Sequence, residues 1–395
     1  MHILTGGRMP DRILYVHASA DRYGSDNMLL LLLAGLDRRR FEPLVVLPYE
    51  GPLAKDLREM GIEVHIMPVA VLRRRDATPF GFVKFTLSLL LSASRLGQLA
   101  HRKHVTLIHT NTCVVFGGAI AAALLGIPHV WHVHEIVVRP TFLARLLPRI
   151  IARLSQHVVA ISEATATWVR TNFGRANTPL SIVYNGIDTS NFKLLKKTEA
   201  KTALGLAEDR PLIGLVGRIN RWKGHSVFVK AAALLAERYP QAQFIIVGDC
   251  FQGEEHFLQD LLKEIARYPD LDRNLRICTF HPRIWEVYSA LDILAVPSTE
   301  PEPFGLVAIE AMAMGVPVVA SSLGGLRETI IPEQSGLLVP PSDEKALAKS
   351  LARILDDEAL RIRLGAMGKE RQQGYFSSAE YINGITQVYA QALKQ

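Results

Sequence analysis

Cysteine is scarce in this sequence: three in 395 residues, Cys113, Cys250 and Cys278, widely spaced and each set in an apolar run. That spacing matches neither a disulfide framework nor a zinc site and points to a reducing, cytoplasmic setting. Long hydrophobic runs are missing as well. The most membrane-like stretch, CVVFGGAIAAALLGIP at 113–128, is shorter than the roughly 20 residues that cross a bilayer, so it reads as a buried helix followed by a turn. The opening MHILTGGRMPDR has no apolar segment of the length a secretory leader uses, and Met9 is a second candidate start that would leave the first eight residues without structural value. No internal repeat or low-complexity tract stands out, and no DxD element suited to a metal clamp. No RNA- or DNA-binding motif is present, so nucleic acid is not an expected partner. The net charge of +7 suits phosphate-bearing ligands or anionic lipid equally well.

What is present is ample core material, 49% hydrophobic against 21% charged residues, in a chain whose length suits two domains. Short β-rich runs alternate with helical patterns throughout. In the first half the expected strands are Ile13–His17, Leu44–Leu47, Glu63–Met67, Thr106–His109, His129–Val133, Val158–Ile161 and Ser181–Val183. In the second half they are Leu212–Val216, Phe244–Val247, Arg276–Phe280, Ile293–Val296, Val318–Ala320 and Leu337–Val339. Apolar runs of this length separated by helices imply parallel sheets covered on both faces, and together they are too many for one sheet. The expected fold is α/β, two doubly wound Rossmann-like domains facing across a cleft, 1–185 and 186–376. The break falls in the turn-rich Tyr184-Asn185-Gly186-Ile187-Asp188, and a last helix, about Ala379–Lys394 within 377–395, can pack back on either domain, the N-terminal one foremost. Ligands of such sheets bind beyond the carboxyl ends of the strands, so residues just after strands carry the functional reading.

Residues 300–320, EPEPFGLVAIEAMAMGVPVVA, interrupt an apolar pattern with Glu302 and Glu310. A buried carboxylate is costly without a partner. With a strand over Asp292–Pro297 and a helix over Phe304–Met314, Glu302 falls at the cleft mouth, beside an anion site made by free N–H groups near Phe304, Gly305 and Leu306. Gly305 lets a ligand approach the backbone closely. Glu310 suits a pair of sugar hydroxyls if its face looks inward; otherwise it belongs to a solvated face and Glu302 to an exposed loop. In GLVGRINRWKG, residues 214–224, a strand ends at Val216, and Gly217, Arg218, Lys223 and Gly224 occupy the loop before a helix from about His225. A guanidinium fork and an ammonium placed after a strand suit a diphosphate, although either alone is as readily a solvated surface charge.

Together these pieces resemble the retaining glycosyltransferases of family 4: Glu302-x7-Glu310 with FGL after the first Glu and EAMAMGVPVVAS at the second, and GR-x4-KG. Asn185-Gly186-Ile187-Asp188, Val247-Gly248-Asp249, Ala290-Leu291-Asp292 and the segment Ser322-Leu323-Gly324-Gly325-Leu326-Arg327-Glu328 extend the likeness, which is looser in the first half. The resemblance implies the two-domain GT-B fold. It implies transfer of a sugar, with retention, from a nucleotide-diphosphate donor (a UDP-sugar favoured) to a saccharide or lipid-linked saccharide hydroxyl, with no metal or other cofactor. On the same ground Arg218 and Lys223 would hold the diphosphate, Glu310 the ribose hydroxyls and Glu302 hydroxyls of the transferred sugar. The backbone at Gly217, Phe304, Gly305 and Leu306 would contact the donor, and base choice would rest on backbone contacts near Phe280–Arg283. His134 of WHVHE falls where the family's active-site His lies, and His132, two residues earlier, is expected on the opposite sheet face. The family often has paired glycines after the first strand. Here Gly24 is followed by Ser25, which weakens the implied phosphate contact, and Asp26 either lines the acceptor pocket or sits at the start of a helix Asn27–Leu36.

Two further features concern location. Arg145, Arg149 and Arg153 recur every four residues in TFLARLLPRIIARLSQ beside Leu146, Leu147 and Ile150, with Pro148 interrupting, and Arg73-Arg74-Arg75 precedes the apolar stretch Phe80–Leu91. Basic amphipathic segments either remain solvated or dock on anionic lipid, the latter pointing to the inner membrane face and to polysaccharide or glycolipid assembly. Three other activities stay open at this point. A sugar-nucleotide epimerase of the same architecture would share the diphosphate site, a glycoside hydrolase would use two carboxylates without needing Arg218 and Lys223, and a sugar-nucleotide sensor would bind without turnover.

Overall fold

All thirteen strand-like runs become strands, each within a few residues of its expected bounds. The structure is a computed structural model, and it describes residues 9–73, 76, 78–174, 177–190, 192–251, 253–279, 281 and 283–394. Arg74 and Arg75 of the arginine run, and Phe280 and Pro282 of the segment expected near the base, lie outside the described residues. The chain divides into two compact units, Met1–Gly186 with Ser378–Gln395, and Ile187–Ser377.

In the first unit, β1 (Asp11–Val16), β2 (Phe41–Leu47), β3 (Glu63–Ile66), β4 (Leu107–Thr110), β5 (His129–Val133), β6 (His157–Ala160) and β7 (Leu180–Ile182) form one sheet in the order β3-β2-β1-β4-β5-β6-β7. In the second, β8 (Leu212–Val216), β9 (Gln243–Val247), β10 (Leu275–Cys278), β11 (Ile293–Val296), β12 (Val318–Ser321) and β13 (Leu337–Val339) run β10-β9-β8-β11-β12-β13. Every pairing is parallel. Both units are therefore doubly wound, and in each the strand order reverses beside the first strand, at β1/β4 and at β8/β11. A crevice opens there at the carboxyl edge.

Helices cover both faces, so the central strands are buried along their length and show no alternation: Ile13 to Val16 of β1 and Leu212 to Leu215 of β8 have almost no exposure. Leu14, Val16, Leu44 and Val46 pack under Leu96 and Leu99 of the helix Pro79–Arg102. In the second unit Ile213, Leu215, Phe244 and Ile246 meet Phe228 and Leu235 of His225–Arg238, and Leu347 and Leu351 of Glu344–Asp356. Each such side chain contributes about 1.5–3 kcal/mol of burial. The run at 113–128 holds the helix Gly117–Leu125, ended by Gly126 in the left-handed region. The helix Ser378–Ala392 belongs to the first unit, where Tyr381 Oη donates to the Met28 carbonyl (3.3 Å) and Tyr389 Oη meets His109 Nδ1 (2.8 Å).

Two helix starts differ from expectation. The helix after β1 spans Gly24–Ala34, so Gly24, Ser25 and Asp26 form its first turn rather than a loop, and Asp26 caps it by accepting the Tyr23 N–H (2.8 Å). The helix after β11 spans Leu306–Ala313 and starts later than expected, because Gly305 takes φ +97°. A side chain there would be strained and would also meet Leu326 Cδ2 at 2.6 Å.

Candidate active site

β8 and β11 are neighbours, so the loops that leave their carboxyl ends run side by side. Gly224, at φ +77°, makes the approach possible: a Cβ on it would fall 1.8 Å from the Pro297 carbonyl oxygen. The Thr299 N–H then bonds the Trp222 carbonyl (2.8 Å). This brings Lys223 Nζ to 2.8 and 2.9 Å from the two oxygens of Glu302, and Ser298 Oγ donates to Glu302 Oε2 at 3.0 Å. Both members of the ion pair are largely buried, at 14% and 8% side-chain exposure. The partner that Glu302 requires is thus supplied by the fold itself, and a ligand that engages Lys223 and Glu302 has to share their pair.

Glu310 lies on the first turns of Leu306–Ala313 and is partly buried, not on a solvated face. Tyr288 Oη donates to its Oε2 at 2.6 Å. Burial raises the Glu310 carboxyl above its ordinary range, while the Tyr288 bond and the Lys223 charge hold it down. The ammonium of Lys223 therefore acts on both glutamates. Arg218, in the same loop, has its guanidinium 3.4 Å over the Phe251 ring. Phe304 is a core residue, packed edge-on against Phe376 at 5.5 Å. The one Asp-x-Asp of the sequence, Asp270 and Asp272, sits in the short helix Pro269–Asp272 ahead of β10, at the amino edge of the sheet and away from these loops.

The first unit gathers polar groups at its own reversal point. Asp26 Oδ1 accepts from His17 Nε2 (2.6 Å), both side chains being 1% exposed. With that proton on Nε2, His17 Nδ1 accepts from Asn111 Nδ2 (3.2 Å), and Asn111 Nδ2 also reaches the Ser25 carbonyl (3.3 Å). Asn111 Oδ1 is then turned toward His134 Nε2 (3.0 Å) and His109 Nε2 (3.4 Å). His134, immediately after β5, keeps slight exposure, and burial followed by the nearby His17 and His109 pushes its pKa down to about 3. It is a neutral imidazole at pH 7, its Nε2 proton held by Asn111. Glu135, next in sequence, accepts from Thr112 Oγ1 (2.5 Å) and the Cys113 N–H (3.0 Å), which fixes the loop that carries Asn111.

This cluster corrects one expectation and decides between the two readings of Asp26 in favour of the helix start. His132 does not point away from His134: residues two apart on a strand share a face, and the rings lie 4.1 Å apart. His132 is fully buried and neither ring nitrogen has a hydrogen-bond partner among the described residues. Asp26 does not line an open pocket, since both its oxygens are taken by His17 and the Tyr23 N–H. Asn111 was not found from the sequence. An Asn in LIHTNT has no periodicity to betray it, and only the adjacency of β1, β4 and β5 reveals its place. Replacing it with Ala strands His17 Nδ1 and two imidazole N–H groups, so Asn111→Ala is expected to cost about 3 kcal/mol in urea unfolding. A change below about 0.5 kcal/mol would mean that the cluster is solvated rather than hydrogen-bonded.

The family model for glycosyl transferases group 1 matches residues 196–371, and that for Glycosyltransferase Family 4 matches residues 23–191. The D-inositol 3-phosphate glycosyltransferase of Kribbella flavida is 30% identical over 338 residues, 83% of this chain and 75% of the relative. The lipopolysaccharide core biosynthesis mannosyltransferase LpsB of Rhizobium meliloti is 31% identical over 62% of this chain and 68% of its own length. Against the D-inositol 3-phosphate glycosyltransferase of Corynebacterium urealyticum, 33% identical, the chain spans about half, 53%, of the relative's length. Among solved structures, Anabaena HepE in complex with UDP-glucose superposes with a TM-score of 0.82 at 26% identity, covering 96% of this chain and 99% of that one. Two family models laid end to end along these two sheets leave one conclusion: the chain belongs to glycosyltransferase family 4, within the group 1 glycosyl transferases.

Proposed function

We propose that this protein is a retaining hexosyltransferase that takes a sugar from a UDP-sugar and needs no metal ion. Its acceptor is the hydroxyl of a saccharide, free or lipid-linked, in polysaccharide or glycolipid assembly at the cytoplasmic face of a membrane. The observation that carries the reading is the Lys223–Glu302 pair across β8/β11, with Glu310 under the influence of the same ammonium. The bond from the sugar's anomeric carbon to the diphosphate breaks, and the bond to the acceptor oxygen forms on the same face. The acceptor proton leaves with the nucleoside diphosphate. Lys223, Arg218 and the amino end of Leu306–Ala313 offset the charge that builds on the departing diphosphate. Glu302 orients sugar hydroxyls, Glu310 the ribose, and neutral His134 offers a ring nitrogen to the sugar. Backbone N–H groups at Gly305 and Leu306, and in the Gly24–Ser25 turn, complete the donor contacts, whereas the Gly217 N–H is held by the Val247 carbonyl (2.9 Å). The UDP-glucose held by HepE supports the choice of nucleotide.

The test is a thermal-shift panel of UDP-, GDP-, ADP- and dTDP-sugars on the native chain and on Glu310→Ala. At about 100 times its dissociation constant, the true donor stabilises by about 2.7 kcal/mol, and the variant loses that shift. A response to one of the other nucleotides in place of UDP would change the donor. No response at all would remove the donor site and return the hydrolase reading, and turnover of the donor without any acceptor would favour the epimerase.

A further inference from the structure

The helix Pro79–Arg102 is two different helices in composition. Its second half buries Ser92, Ala93, Leu96, Leu99 and Ala100. Its first turns instead present Phe80, Phe82, Val83, Leu87, Leu90 and Leu91 to solvent at 57–82% exposure. Their neighbours Phe85 and Leu89 turn inward and join the cluster that contains Leu143 and Ile150 of the helix Thr141–Leu154, so the two helices border one core. That second helix exposes Phe142 and Leu146 alongside Arg145 and Arg149. Isolated apolar side chains on a surface are ordinary; a run of six on one helix is not.

Charge decides what covers this face. Between residues 77 and 162 the sequence contains eight Lys and Arg and one acidic residue, Glu135. That carboxylate is spent on Thr112 and the Cys113 N–H. Neither helix contains a single Asp or Glu. A second copy of the chain would bring the same cations against themselves in a two-fold contact. An apolar face on two helices that carry cations and no carboxylate, with Asp76 ahead of the first of them accepting the Arg73 N–H (2.8 Å), matches the headgroup and acyl boundary of an anionic bilayer. Among the described residues no helix is long and apolar enough to cross a membrane, so the match is to lying on the bilayer. We infer that the first turns of Pro79–Arg102, with Arg145 and Arg149 beside them, dock this protein on an anionic lipid surface. The inference gives the proposed membrane setting its contact surface and does not depend on the donor site.

The experiment is co-sedimentation of the full chain with vesicles of phosphatidylcholine alone and of phosphatidylcholine mixed with phosphatidylglycerol. The native chain is expected to bind the mixed vesicles at least about tenfold more tightly, and to be released by salt. The triple variant Phe80→Ser, Phe82→Ser, Leu87→Ser should lose binding at least about tenfold, as should Arg145→Gln with Arg149→Gln. All these side chains are exposed, so unfolding temperature and the nucleotide-sugar shift stay at native values, which separates a failed docking surface from a failed donor site. Absence of native binding to the mixed vesicles overturns the inference. So does binding that the variants retain, or self-association that the triple variant abolishes without any vesicle binding, which would make a second copy the occupant.

Discussion

Replacing Lys223 with Met destabilises the second unit by about 3–5 kcal/mol, the cost of leaving a buried carboxylate without its cation. It also lowers kcat/KM by about 100- to 1,000-fold, the size of effect seen when one group that stabilises developing charge is removed. The structural part follows from distances of 2.8 and 2.9 Å to a Glu302 whose other side-chain donor among the described residues is the neutral Ser298 hydroxyl. Glu310 responds as well: without the Lys223 charge that holds its carboxyl down, burial raises it further. The double variant Lys223→Met, Glu302→Gln separates the two effects, because it removes both charges at once and leaves no unpaired ion. Stability should return to within about 1 kcal/mol of native while activity stays lost. Urea unfolding and donor turnover are the two readouts. Single and double variants of equal stability would show that the pair is solvent-screened, and a catalytically competent double variant would take Lys223 out of the reaction.

The parts of this molecule that could be read from sequence are those whose signal is local. LIGLV and QFIIV declare themselves as strands because both faces of the sheet are covered and no polar alternation dilutes them. Lys223 and Glu302 stood out as charges just past strand ends. Their pairing did not, because they are 79 residues apart and meet only through the adjacency of β8 and β11. The start of Leu306–Ala313 is later than the pattern suggests because Gly305 delays the helix by its backbone angle, which pattern alone does not disclose. His132 shares the face of His134 by strand parity, against expectation, and Asn111 is invisible in the sequence, since its four side-chain hydrogen bonds join segments from four different parts of the chain. The buried polar cluster of the first unit is therefore a product of topology, and it has a consequence for stability.

Lowering the pH from 7 to 5 destabilises the first unit by on the order of 5–8 kcal/mol. Burial pushes His109, His129 and His134 down to about 3 and pushes His132 well below its ordinary value. In the unfolded chain each titrates near 6.5. A histidine depressed in the fold contributes stability that is complete above the unfolded value and lost as pH falls through it toward the folded one. The loss approaches about 1.4 kcal/mol per pH unit for each ring, close to 2 kcal/mol each by pH 5. Four rings therefore threaten a stability that for a domain is typically about 5–15 kcal/mol. The second unit is buffered: His225 is lowered to about 4 by burial, but Glu310 runs the other way, since a carboxyl raised in the fold contributes its stability at low pH and loses it as pH rises. Acid unfolding should then proceed in two steps, the first unit leading, and the emission of the fully buried Trp131 should report that first step. His132→Phe is the sharpest probe. The ring sits among His134, His109 and Tyr381 with no nitrogen bonded, so an apolar ring suits the site at pH 7 and removes one titrating group. The slope of stability against pH should fall by about 1.4 kcal/mol per unit. A native profile that stays flat between pH 7 and 5 would mean that these rings carry their protons inside the fold, and the neutral His134 invoked at the sugar would go with them.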